Sequence, residues 1–139
     1  MKANYKLQAI KETGYSFNFD FDYTVLDPCE IKYYVARSFA LGKKEDTLVV
    51  KVEVTVSYGV ADILLTRSSA AVVFELHPIG SIISLNSDTG LLETHNKDIV
   101  DNMLQTSIGV LRGILYASTK GTPLEPYPLP LMAPAFFDD

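Results

Sequence analysis

The sequence predicts an α+β fold, a four-stranded antiparallel sheet (a meander plus an N-terminal strand) with one long helix packed on one side. Three observations predict it. The stretch from Tyr5 to Leu76 is dominated by period-two alternation, helical three- and four-residue spacing takes over after Asn96, and the residues beyond Gly121 are rich in proline. At 139 residues the chain has the size of one domain and can bury a core without covalent staples. A single domain, 1–139, is therefore expected, with strands within 4–76, a helix over about 97–120 and a proline-rich strap over 122–137.

Taken in order, Tyr5 to Ile10 can supply an N-terminal strand. An unusual run follows, with Tyr15, Phe17, Phe19, Phe21 and Tyr23 on one face of an extended segment and Ser16, Asn18, Asp20, Asp22 and Thr24 on the other, until Asp27-Pro28 breaks it. Ile31, Tyr33, Val35, Phe39 and Leu41 then mark the next strand, and Gly42-Lys43-Lys44-Glu45-Asp46 reads as a hairpin loop. The clearest strand is Thr47 to Tyr58, where Leu48, Val50, Val52, Val54, Val56 and Tyr58 oppose Lys51, Glu53, Thr55 and Ser57. Gly59 with Ala61-Asp62 turns the chain into Ile63 to Leu76, which closes at His77-Pro78.

After a linker, Val100, Met103, Leu104, Leu111, Ile114 and Leu115 share a helix face. Asn96 suits the N-cap, Asp98 and Asp101 lie in or near the first turn, Lys120 falls in the last turn, and Gly121 and Pro123 stop the helix. Gly109 and Gly113 stand on one face at a cost of up to ~1 kcal/mol each relative to Ala, which close packing against another helix or sheet would offset. The tail from Thr122 holds five of the seven prolines and reads as an extended strap ending in Phe136-Phe137-Asp138-Asp139.

Composition narrows the function. The formal charge of −5, with twelve scattered Lys and Arg residues, gives no concentrated basic face for nucleic acid or anionic membrane. Cys29 is the only cysteine, which points to an inert thiol in a reducing compartment. The N-terminus lacks the apolar core of a signal peptide, and no stretch is long enough to span a bilayer, so a cytoplasmic location is expected. His77 and His95 have no ligand-spaced partner, so no metal or cofactor is expected. Asp20 and Asp22 resemble paired carboxylates but suit the wet side of an aromatic strand better than acid/base work. With no GxSxG, phosphate-binding glycine loop or HExxH, the expectation is a protein that is not an enzyme and that binds other polypeptides. Nine of the fifteen aromatic residues precede position 40, and the rings of the aromatic run either pack under the helix or line a groove or subunit contact.

The segment order resembles the SecB-type export chaperones. Val49 to Val56 looks like that family's long central strand, Ser68-Ser69-Ala70-Ala71-Val72-Val73-Phe74 is similar to the strand after it, and Gly121-Thr122 through Leu129-Pro130-Leu131 is similar to its post-helix stretch. The resemblance implies a homo-oligomer, a dimer or a tetrameric dimer of dimers, that holds unfolded clients in apolar grooves. Its clients would be engaged for protein export or, as for SecB-like chaperones attached to toxin-antitoxin systems, for one dedicated partner. A translocation motor or a toxin-antitoxin component is then an expected partner. Phe17 falls where the family places an aromatic entering its crossover region. Tyr15, Phe17, Phe19, Phe21, Tyr23, Leu131, Phe136 and Phe137 are the expected client contacts, and Gly109 and Gly113 the expected oligomer contact. SecB-type chains carry a second helix and a tail beyond the strap, whereas this sequence stops at Asp139, so a short member with a more open groove is expected. Where the family commonly has glycines, this chain has Ala70 and Ala71. A different class of function, a structural or adaptor oligomer with one folded partner or a small apolar ligand, fits the same scaffold.

Overall fold

The computed structural model describes residues 4–130. Four long strands, β1 (Asn4–Phe17), β2 (Ile31–Leu41), β3 (Thr47–Tyr58) and β4 (Ile63–His77), form an antiparallel sheet in the order β1-β4-β3-β2. The meander of β2, β3 and β4 follows from short turns that keep sequence neighbours paired, and β1 joins the free edge of β4. Helix α1 (Lys97–Thr119) lies over β3 and β4.

Register explains which face the helix covers. Leu48, Val50, Val52 and Val54 of β3 oppose Phe74, Val72, Ala70 and Ser68 of β4, so these side chains rise from the same face and are all buried. Val100, Met103, Leu104, Ile108, Leu111 and Leu115 descend on them from the helix and complete one core. Asn96 caps the helix as its sequence promised, its Oδ1 accepting from the Ile99 amide at 3.2 Å, and Gly121 follows the end with φ +80°. Lys120 is the C-cap itself, in an extended conformation, and not a residue of the last turn.

Two expectations need correction. The aromatic run is not one strand face, because β1 runs continuously from Asn4 through Phe17 and stops there. The Asn18 side chain takes up the amides of Asp20 and Phe21 at 2.9 and 3.2 Å, which bends the chain out of the sheet. Tyr23–Val25 and Pro28–Glu30 are then short 3-10 turns, capped by Asp22 and Asp27, in a crossover that carries the chain from the β1 edge to the β2 edge. The linker after β4 is also not featureless. It folds a small hairpin of β5 (Ile83–Leu85) and β6 (Leu92–Thr94), and Ile82 and Ile83 plug into the core.

The strap begins with turns over 119–127 before it extends. Leu124 and Leu129 are buried against the core, the Tyr33 hydroxyl donates to the Tyr127 carbonyl at 3.1 Å, and Arg112 donates to the carbonyls of Leu129 and Pro130. These bonds hold the strap alongside β2, on the helix side of the sheet.

Candidate polypeptide-binding site

Tight aromatic packing forms where the chain leaves the sheet. Phe17 is the last residue of β1, on the helix-facing side opposite Thr66. Its ring lies 4.9 Å from that of Phe19 and stacks on Tyr23 at 5.5 Å; Phe21 meets Tyr23 edge-on at 5.0 Å and leans on Tyr58 of β3 at 5.0 Å. Phe17, Phe21, Tyr23 and Tyr58 are half-buried against the core, whereas Phe19 is 86% exposed. One phenyl ring is therefore presented to solvent beside a cluster of half-buried rings.

Polar groups fix the platform from below. The Asn18 amide donates to the Leu64 carbonyl at 2.8 Å, its backbone N–H to Leu65, and its own carbonyl accepts from the Tyr23 hydroxyl at 2.7 Å. Asp22 accepts from the Thr24 amide and hydroxyl, which holds its carboxyl below the usual range. The Asp27 amide donates to the Tyr58 hydroxyl at 2.9 Å. Burial, and after it the neighbouring Tyr15, raises the Tyr23 phenol above its ordinary value, so this hydroxyl stays a donor across neutral pH. Asp20 and Asp22 do not act as a carboxylate pair; Asp22 is committed to Thr24, and both sit on an exposed bend.

The other expected contacts separate. Tyr15 stays on β1, 49% exposed, with its hydroxyl reaching the Ser118 carbonyl at the far end of α1. Leu131, Phe136 and Phe137 lie outside the described residues. Gly109 and Gly113 are on the exposed side of α1, where a Cβ at either would meet nothing within 4 Å, so neither packs against the sheet. Sequence reasoning missed Tyr58, which anchors the cluster from β3, and the exposed Val25 and Val60, which lie at the same end of the molecule. The Tyr58 contribution carries a sequence signal, an aromatic closing the inward face of the clearest strand. The position of Val60 in a turn carries none.

Among the described residues no group of three or more His, Cys, Asp or Glu side chains is placed to hold a metal ion, and no helix is long and apolar enough to cross a membrane. His77 bonds Glu75 at 2.7 Å, and His95 bonds Ser84 at 2.6 Å, so each histidine has a surface partner and neither joins a cluster.

No family model matches the chain, and no curated protein matches its sequence. Among solved structures, the fold is similar to that of a SecB-like chaperone of Mycobacterium tuberculosis, Rv1957, solved in complex with a ChAD peptide from the Rv1956 HigA1 antitoxin. The two share 12% identity with a TM-score of 0.53, over 92% of this chain and 89% of that chain. At that identity the likeness is one of fold: a four-stranded antiparallel sheet with a long helix on one side.

Proposed function

We propose that this protein is a holdase, a SecB-like chaperone that captures a short apolar segment of a non-native polypeptide at the crossover ring cluster and serves one dedicated client. The single observation that carries the reading is Phe19, 86% exposed beside the Phe17 ring on a bend whose backbone is fixed by the Asn18 and Tyr23 hydrogen bonds. Backbone fixed before contact does not have to be ordered on binding, which leaves more of the burial free energy for the client. Full burial of such a side chain is worth about 1.5–3 kcal/mol. The fold likeness to a chaperone whose structure holds an antitoxin peptide supports polypeptide as the ligand and a toxin-antitoxin component as the kind of client. The exposed apolar side chains at this end, Phe19, Val25, Val60 and Ile63, are few, which favours a short segment over a long unfolded chain. On this reading the protein is not an enzyme, needs no cofactor, works in the cytoplasm and assembles as a dimer or tetramer.

The test is suppression of aggregation of an unfolded substrate by purified protein, followed by light scattering. Phe19→Ser should weaken suppression by about tenfold or more, the equivalent of losing that burial, while the thermal midpoint stays within a few degrees because the ring supports no core. Undiminished suppression by a folded Phe19→Ser protein would remove the site assignment. Failure of the wild-type protein to bind any unfolded chain, with one folded partner recovered at fixed stoichiometry, would favour the adaptor reading.

A further inference from the structure

The sheet face turned away from the helix carries a second surface. Register places Ala9, Val73, Val49 and Ala40 in one row across all four strands on that face, and Lys11, Ala71, Lys51 and Ser38 in the next row. An apolar strip thus crosses the sheet at right angles to the strands, about 15 Å long at the spacing of four strands. It floors a depression of about 550 Å³ whose rim includes Lys11, Lys43 and Lys44. Lys51 stands beside it, two strands from Lys11, and borders an adjoining depression of about 440 Å³.

The charge balance here is opposite to that of the chain, which has 17 acidic and 12 basic residues. The acids near the strip are already engaged: Glu53 pairs with Arg67 at 3.6 Å, Glu75 with Lys6 at 3.4 Å and His77 at 2.7 Å, and Asp46 lies 3.8 Å from His77. Glu45 of the same turn lines the depression on the far side, with Leu41 and Ile79. Four lysines therefore border an apolar floor, and the acids nearest them among the described residues are the paired Glu53 and Glu75 and, beside Lys44 in the far depression, Glu45 and Asp46.

We propose that this face docks an acidic peptide segment of a partner protein, with small apolar side chains on the strip and carboxylates towards the lysine pairs on either side. An extended peptide of four or five residues matches the strip at about 3.3 Å per residue. The floor is recessed, so a flat bilayer cannot seat on it. It has no aromatic ring on which a nucleobase would stack. The surface is separate from the ring cluster, which packs on the helix-facing side of the sheet, and does not depend on the holdase reading.

Fluorescence anisotropy of the full chain with a labelled peptide, Gly-Asp-Asp-Val-Asp-Val-Asp-Asp-Gly, tests the assignment, with the same peptide carrying Ser for Asp as control. The Asp peptide should bind about tenfold more tightly than the Ser peptide and weaken as salt is added. Lys11→Glu with Lys51→Glu should weaken binding by about tenfold or more, Lys→Arg at both positions should retain it, and Phe19→Ser should leave it unchanged. Equal binding of the two peptides, or an unaltered affinity in a folded charge-reversed variant, would overturn the proposal. So would loss of binding in Phe19→Ser, which would move the peptide to the ring cluster. Sedimentation with phosphatidylserine vesicles but no peptide binding would overturn it in favour of a membrane surface.

Discussion

At the residue scale, Asn18 decides the site. It ends β1 by satisfying two backbone amides with its own side chain, ties the bend to Leu64, and offers its carbonyl to Tyr23. Sequence alone placed Phe17, Phe19, Phe21 and Tyr23 together as neighbours, which the structure does as well, but for a different reason. Alternation by two looks the same whether the residues pair in a ladder or curl around an Asx turn, since the hydrogen-bond partners that distinguish the two come from β4. The raised Tyr23 phenol gives a pH prediction. A group whose folded value lies above its unfolded value, about 10 for tyrosine, contributes stability that is whole below that value and lost as pH rises through the folded one. Folding stability should therefore fall on the alkaline side as the phenolate forms. In Tyr23→Phe the part of that alkaline fall due to this group should be absent, at the expense of a weaker platform at neutral pH. Thermal midpoint measured against pH, alongside near-ultraviolet phenolate absorbance, checks both.

At the scale of elements, β3 and α1 were the most legible because each carries its own period and its own ends: Thr47–Tyr58 and Lys97–Thr119 fall almost where the pattern put them. The β5–β6 hairpin was missed although its turn is written in Asn86-Ser87-Asp88-Thr89-Gly90, where Asn86 Oδ1 accepts from Asp88 and Thr89; three-residue strands are too short for periodicity to register. The register shifts near Gln8 and Thr13 that let β1 follow β4 were also illegible, since they answer to the partner strand. The glycines of α1 give a test with a sign. Within one chain, Gly109→Ala and Gly113→Ala meet open space, so each should stabilise the monomer by up to about 1 kcal/mol. If that face contacts another copy, Gly113→Leu should lower the mass seen by light scattering at micromolar concentration. A wild-type monomer at that concentration would refute assembly.

At the scale of the whole molecule, among the described residues the sheet has one face covered by the helix and strap and the other uncovered, with the ring crossover at one end. The α+β class, the meander of β2, β3 and β4 and the inward aliphatic row of β3 were written in hydrophobic period and turn chemistry, whereas the place of β1 beside β4 was not. What the sequence could not supply was the division of the aromatic run into the half-buried Phe17, Phe21 and Tyr23 and the exposed Tyr15 and Phe19, because that depends on Tyr58 of β3 and the Leu64 and Leu65 carbonyls of β4. Polypeptide binding at this end therefore turns on Phe19. A photo-crosslinking residue placed at position 19, and separately at Leu85 on the exposed β5–β6 hairpin, tests this directly when the protein is illuminated with an unfolded client. A covalent adduct is expected from position 19 and little or none from position 85. No adduct at position 19, or equal yields at the two positions, would contradict it.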